Sequence, residues 1–452
     1  MVGYEKGEML IMNKEMNKSS GIQNVQKERV KNRWFLSYLF SNAAGGLSSP
    51  LIPLYIIFYL HLSVFYVGFA SAVASTAAVP AVIFWGNLSD SIGKRKIFLM
   101  IGFFGSSLSL MMIIFVHQLF TFLGVLVVFQ LISMASTPVA TLLILENSQE
   151  SEWPNVISQF NIVSYVGLII GLFIGTVFLT FNSKNNGFAL PFLYIFSGIV
   201  YFVAGVSVIT LLKESKEKLA RGDLDHINSV RLTERIRYFP TSILHIAKSS
   251  IYKSGKPLLK RTKFYIALTG LLMFGFQMFF VPYPVYIADI LNGSETIIFI
   301  MYLFNNVLSA LAFIFSGKFS RKYGLRYILN LSIISRVAIV FAAVFCVFYG
   351  IKELTVSVAL YSIMGFFWSF ISIAWVTSIS KVALPENRGK AIGWYNSVLG
   401  MGQIGGAIIS GIISEILGFG YDFVISIIIL IIGGIMISTV TPSKGSRSIE
   451  NI

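Results

Sequence analysis

The sequence predicts an all-α, polytopic membrane protein with 12 transmembrane helices in two pseudo-symmetric six-helix bundles. Three observations carry that expectation. The 452 residues are 55% hydrophobic and only 12% charged, more apolar surface than a water-solvated core absorbs. About twelve apolar runs reach the roughly 20 helical residues that a bilayer core about 30 Å thick requires. The second half of the chain also repeats the first, motif on motif.

The runs lie near residues 34–60, 64–88, 97–117, 119–146, 156–181 and 190–212, then 264–290, 294–317, 328–350, 354–380, 390–417 and 420–441. Each is long and continuously apolar. A barrel strand would need only about ten alternating residues, and a helix satisfies its own backbone groups within the span. In the first and seventh runs, Pro50, Pro53, Pro282 and Pro284 predict kinks at comparable depth. In the fifth, Gly167, Gly171 and Gly175 form a face for close helix packing.

Between the sixth and seventh runs lies one long hydrophilic segment, residues 213–263, with thirteen bases and five acids. It divides the chain into a tail (1–33), an N-terminal bundle (34–212), a linker (213–263), a C-terminal bundle (264–441) and a second tail (442–452). Within the linker, Ile243, Leu244, Ala247 and Ile251 have helical spacing suited to lying along a membrane surface; a flexible basic linker is the equal alternative. The N-terminal tail is polar and does not read as a secretory signal.

Of the 35 Lys and Arg, only Lys184 and Lys352 fall in loops opposite the tails, and Arg336 lies within a run. The positive-inside rule therefore places both ends in the cytoplasm of a multi-pass protein, expected in the plasma membrane. The net charge of +15 is an orientation signal, and no nucleic-acid module accompanies it. A single cysteine, Cys346, and four scattered histidines suggest neither a metal site nor a nucleophilic grouping, so no enzyme is expected.

The repeat, at an offset of 231, lays "GNLSDSIGKRK" (86–96) on "GKFSRKYGLRY" (317–327) without a gap, pairing Gly86 with Gly317, Ser89 with Ser320, Gly93 with Gly324 and Arg95 with Arg326. Further on the offset becomes 235, pairing Asn161, Gly167 and Gly171 with Asn396, Gly402 and Gly406. Two parallel six-helix repeats are one of the recurring plans of secondary transporters.

The 86–96 loop resembles the signature loop of the major facilitator superfamily, and "LPENRGKAIGWYNSVLGMGQIGGAIISG" (384–411) resembles its tenth-to-eleventh-helix junction. That resemblance covers nearly the whole chain apart from the tails. It implies rocking of the two bundles and a conformational latch: Gly86 and Gly93 give close approach and a turn, Asp90 faces a neighbouring helix N-terminus, and Arg95 pairs with Glu146 at the end of the fourth helix. The second copy (Gly317, Gly324, Arg326) departs from it, since Arg321 replaces the acid and Lys381 stands where the counterpart of Glu146 is expected.

The resemblance also implies a cavity lined by helices 1, 4, 7 and 10 and flanked by 2, 5, 8 and 11. Their middles offer Asn42, Gln130, Ser133, Gln277, Asn305, Asn306, Trp368, Ser369 and Gln403, all neutral. The substrate-binding candidates are Asn42, Gln130, Gln277, Asn305, Asn306, Trp368 and Gln403, with Trp368 able to stack on a ring or sugar face. No carboxylate sits at mid-depth; Asp289, Glu415 and Asp422 lie toward the outer ends. Arg336, on the peripheral ninth helix, is expected to snorkel toward the interface. The helices lack the Gly-Pro pair and the fourth-helix arginine of the family's proton-antiporter group.

The expected activity is secondary transport of a small neutral or lipophilic solute, leaning to efflux. Uptake of a sugar-like metabolite and a non-conducting sensor stay open beside it. The expected partners are the lipid bilayer, a small-molecule substrate and protons as the coupling ion. No cofactor, metal or nucleic acid is expected, and the chain is expected to act as a monomer.

Overall fold

The computed structural model describes residues 33–92, 94–147, 153–182, 186–212, 258–384 and 388–442. Among them no strand occurs, and the chain crosses the apolar layer twelve times. The crossing α1 runs as Phe35–Ser48, Leu51–Leu54 and a π-helical turn Tyr55–Tyr59. It is followed by α2 (Val64–Ile92), α3 (Arg95–Met111) and α4 (Leu119–Ser133, resuming as Thr137–Asn147). Then come α5 (Trp153–Asn182) and α6 (Asn186–Leu211).

The second set is α7 (Lys260–Phe280, resuming as Tyr283–Asp289), α8 (Glu295–Tyr323) and α9 (Leu325–Phe348). It closes with α10 (Leu354–Val382), α11 (Arg388–Ile416) and α12 (Phe419–Val440). Eleven of the crossings include a stretch long and apolar enough to span a bilayer, that of α4 running Leu119–Ala140 across its break. The first, in pieces of 14, 4 and 5 residues, is not one of them.

Proline explains that interruption. Pro50 and Pro53 supply no N–H, so α1 cannot continue its ladder through them, and the helix restarts after Ser49, whose amide bonds the Gly45 carbonyl at 2.8 Å. In α7 the same happens at Val281 and Pro282. Pro80 and Pro191, by contrast, sit inside α2 and α6 without ending them. The tight joint between α8 and α9 rests on Gly324, whose φ of 92° is one that a Cβ would strain.

The packing is the same in both halves. In the first, α1 packs on α5 and α6, α3 on α6 and α4, and α2 on α4; in the second, α7 packs on α11 and α12, α9 on α12 and α10, and α8 on α10. Glycines set the closest of these contacts. A Cβ on Gly167 would overlap the Leu39 carbonyl and one on Gly171 the Ala43 carbonyl; a Cβ on Gly402 would meet the Gly270 carbonyl and one on Gly406 the Phe274 carbonyl. Leu39 and Gly270, like Ala43 and Phe274, are matched positions of the duplication, so the repeat read in the sequence is a repeat of atomic contacts. Ser197 Oγ donating to the Ala44 carbonyl and Ser426 Oγ to the Gly275 carbonyl, both at 2.7 Å, repeat it again.

The halves meet chiefly through α2 with α11 and α5 with α8, and less extensively where Leu51–Leu54 of α1 approaches Tyr283–Asp289 of α7. Their tightest approaches lie toward the face remote from the chain ends. There a Cβ on Gly68 would overlap the Ala407 carbonyl, and one on Gly175 the Phe299 ring. Toward the opposite face Gly317 and Gly393 have nothing within 4 Å, and Gly86 has only Pro138 Cβ, at 3.9 Å. The close approach expected of Gly86 is therefore not made in this conformation.

Two basic residues of the duplicated loop, one in each copy, cap helices within their own half. Lys96 Nζ donates to the Ile209 and Leu212 carbonyls at 2.8 and 3.0 Å, closing α6. Arg326 donates through Nε and Nη2 to the Thr441 carbonyl at 2.9 and 2.7 Å, closing α12. A cation at a helix C-terminus meets unpaired carbonyls and the negative end of the dipole. Lys96→Ala should cost about 1 kcal/mol, read as a fall of roughly 1–4 °C in the melting midpoint of purified protein.

The lipid-facing surface carries Phe120, Phe181, Ile314 and Phe341. Aromatic clusters fill the interior of each half: Trp34, Tyr38, Phe103 and Phe160 in the first, and Phe279, Tyr283, Tyr361 and Phe423 in the second.

Candidate functional site: two adjoining chambers on the central axis

The breaks in α1, α4 and α7 open space along the middle of the molecule. A chamber of about 240 Å³ lies between the halves, lined by Ser49, Ile52 and Pro53 of α1, Gln130 of α4, and Gln277, Phe280 and Val281 of α7. Gln403 and Ala407 of α11, Tyr302 and Tyr361 of α8 and α10, and Val67, Ser71, Ala74 and Ser75 of α2 also line it. The sequence puts the three glutamines at similar depth on cavity-type helices, and the fold brings all three to one space. None of their side-chain amides bonds another described residue, so each presents a donor and an acceptor to the chamber.

A larger chamber, about 600 Å³, extends into the N-terminal half and shares Ser49, Ile52 and Gln130 with the first. Asn42 lines it, with its Nδ2 donating to the Tyr38 carbonyl of its own helix at 2.7 Å. Hydroxyls dominate its polar surface, and Ser106 Oγ, Ser164 Oγ and Tyr194 OH are buried with no hydrogen-bond partner among the described residues. Among the described residues no charged side chain lines either chamber. Volumes of this order suit small organic molecules held by a few polar groups on an apolar wall.

Three candidates turn away from this space. Asn305 Nδ2 donates to the Tyr361 carbonyl at 2.8 Å, tying α8 to α10 where a Cβ at Gly365 would overlap the Asn305 carbonyl. Asn306 Nδ2 bonds the Tyr302 carbonyl of its own helix at 2.9 Å. Trp368 packs on Phe276 and Trp375 instead of facing a solute. Ser369 is likewise spent on Ser309 of α8. Spacing along a helix indicates depth; which side faces the axis is set by packing that residue type does not reveal. Tyr302 and Tyr361 escape a sequence reading for the same reason, although each lies one or two turns from a candidate residue.

Arg336 does not snorkel. It is only 1% exposed, with Nη2 donating to the Met364 carbonyl at 2.9 Å and the guanidinium carbon 4.5, 5.2 and 5.3 Å from the ring centroids of Phe276, Phe280 and Trp368. Cation–π attraction from three rings offsets part of its desolvation, so the interface offers it no advantage.

Of the expected latch, Arg95 Nη1 donates to Ser89 Oγ at 2.6 Å within its own loop. Gly93 and the side chains of Asp90 and Glu146 lie outside the described residues. Among the described residues no cluster of His, Cys, Asp and Glu could hold a metal ion. Asp289 and Glu415 stand at the ends of α7 and α11 remote from the chain termini, and Asp422, fully buried in the first turn of α12, accepts a hydrogen bond from Ser414 Oγ at 2.7 Å.

The sequence model of the Major Facilitator Superfamily matches residues 34–384 and 337–451. The chain belongs to the major facilitator superfamily. It is similar to an uncharacterized MFS-type transporter of Methanocaldococcus jannaschii, with 24% identity over 362 residues that cover 78% of this chain and 82% of the relative. In fold it resembles a mutant of the nucleoside transporter NupG (TM-score 0.71, 15% identity, 91% of this chain and 99% of the other). It also resembles a D-xylose-proton symporter (TM-score 0.68, 12% identity, 93% and 99%) and, in an inward-facing and occupied conformation, a bacterial homolog of the human lysosomal transporter Spinster (TM-score 0.68, 13% identity, 93% and 99%). These likenesses establish the fold. This superfamily member is accordingly a multi-pass membrane transporter.

Proposed function

We propose that this major facilitator moves a small neutral or lipophilic solute by alternating access, in the direction of efflux. The observation that carries the reading is the meeting of Gln130, Gln277 and Gln403, from both halves, around one uncharged chamber. A solute held there is gripped by both bundles, 34–212 and 264–441, so their relative rocking exposes it to either face. The close approach of α2 to α11 and of α5 to α8 on the remote face supports an inward-facing arrangement, with the basic loops in the cytoplasm of a plasma-membrane protein. Asp90, Arg95 and Glu146 act as the latch when the cytoplasmic side shuts. Asp289, Glu415 and Asp422 are the acids available for proton coupling, an idea consistent with the D-xylose-proton symporter among the similar structures. The transporter works as a monomer and carries out no covalent chemistry.

A second reading, uptake of a sugar-like metabolite, draws on the partnerless hydroxyls of the larger chamber. The test screens lipophilic compounds and sugars for stabilisation of purified protein, then follows flux of the best ligand into proteoliposomes. Gln277→Ala and Gln403→Ala should each reduce the initial rate by about 5- to 150-fold, the effect of leaving a buried polar group of the solute unpaired at about 1–3 kcal/mol. Wild-type flux in the double variant would refute the site; binding without flux would make the protein a sensor.

A further inference from the structure

We propose that the guanidinium of Arg336 is an anion-recognition site, one aromatic layer behind the C-terminal wall of the smaller chamber. Its ligand is a single monoanionic group, delivered either as the carboxylate of the transported solute or as a free inorganic monoanion.

The charge is deeply buried, and among the described residues it has no ion-pair partner. Structural arginines at such depth normally spend their donors on carboxylates or several carbonyls. Here one carbonyl, that of Met364, is bonded through Nη2. Nε and Nη1, which carry three of the five N–H groups, are buried without a hydrogen-bond partner among the described residues.

The rings of Phe276, Phe280 and Trp368 stabilise the positive charge but accept no conventional hydrogen bond. They therefore hold a guanidinium while leaving most of its donors available. A planar, weakly hydrated cation tolerates that arrangement; a lysine ammonium, which keeps its water more tightly, does not.

The route to the site is short. Phe280 both lines the chamber and lies over the guanidinium, its ring centroid 5.2 Å from the guanidinium carbon. The rings of Tyr361 and Tyr302 stand 5.5 Å apart on that wall. Among the described residues no carboxylate lines either chamber, so Arg336 sets the sign of the potential on the C-terminal side. That field attracts an anion and opposes a cation. The inference rests on the proposed solute site only for this route of entry, and in its carboxylate form it narrows the lipophilic solutes to those bearing one acid group.

The experiment uses the full chain purified in nonionic detergent with gluconate as the only anion. Bromide and nitrate are titrated in one arm, and hexanoate against hexanamide in the other. Readouts are the melting midpoint and tryptophan fluorescence, to which Trp368 beside the guanidinium contributes. The expected result is one saturable transition in at least one arm, with its apparent Kd weakened at least tenfold in both Arg336→Gln and Arg336→Lys. A response to bromide or nitrate identifies a free anion; a response to hexanoate but not hexanamide identifies the solute carboxylate. If Arg336→Gln does not fold, the lysine variant decides alone, because it keeps the charge and loses the fork.

No saturable response to any of the three anions, or one unchanged in Arg336→Lys, would overturn the proposal and leave the cation as a strut between α7, α9 and α10. Binding in detergent requires no transport. Anion binding without flux would thus count against the transporter reading alone, and flux indifferent to anions and to Arg336 would count against this site alone.

Discussion

Gly171→Leu should prevent this protein from being recovered folded. The new side chain would begin where the Ala43 carbonyl of α1 already stands, and a backbone atom inside a helix cannot swing aside as a side chain can. Core overpacking ordinarily costs about 1–3 kcal/mol and occasionally more. Here the whole of α1 would have to move away from α5, giving up the small-residue contact that holds membrane helices together. Size-exclusion profiles and melting curves provide the check: loss of the monodisperse peak, or a midpoint lowered by more than roughly 10 °C. Gly406→Leu should behave alike, because its contact with the Phe274 carbonyl is the copy of this contact in the other half. Gly124→Leu supplies the control, since nothing lies within 4 Å of a Cβ there. A Gly171→Leu protein melting like that control would contradict the packing.

Gly68→Leu introduces an equally severe overlap, with the Ala407 carbonyl, and should have a different outcome. Gly68 and Ala407 belong to different halves, so the clash opposes one arrangement of intact bundles and leaves each bundle's packing alone. The variant should fold, with a midpoint within a few degrees of wild type. Proteoliposome flux should fall at least tenfold: about 1.4 kcal/mol against one of two alternating states shifts their ratio by that factor. Labelling of an introduced Ser71→Cys, in the wall of the smaller chamber, should become faster from the face remote from the chain ends. Normal flux would show that the α2–α11 approach is not part of the working cycle.

The contrast between these two glycines bears on what sequence alone can reveal. The twelve crossings, the duplication and the proline interruptions of α1 and α7 are legible because each depends on local chemistry: apolar length, residue identity at fixed offset, and a missing amide hydrogen. Gly167 and Gly171 are likewise legible as a packing face, but their partner helix is not. Direction around the axis is what local chemistry omits. It separates Gln130, Gln277 and Gln403, which meet, from Asn305, Asn306 and Trp368, which are used within the C-terminal half. Snorkelling is the wrong expectation for Arg336 because the groups that compensate it come from α7 and α10, a solution no reading of α9 contains. Lys96 and Arg326 can be read as orientation or latch residues only, since their carbonyl partners lie at the distant ends of α6 and α12.

The interrupted crossings have one more outcome for anyone dissecting the smaller chamber by mutagenesis. Pro53 withholds the hydrogen that the Ser49 carbonyl would accept in a continuous helix, and Pro284 withholds it from the carbonyl of Phe280. Ser49 and Phe280, themselves counterparts in the two halves, both border that chamber. Main-chain oxygens survive every side-chain truncation. A ligand bonded to either oxygen would therefore keep that foothold through a complete alanine scan of the wall, and only replacing the prolines could expose its share.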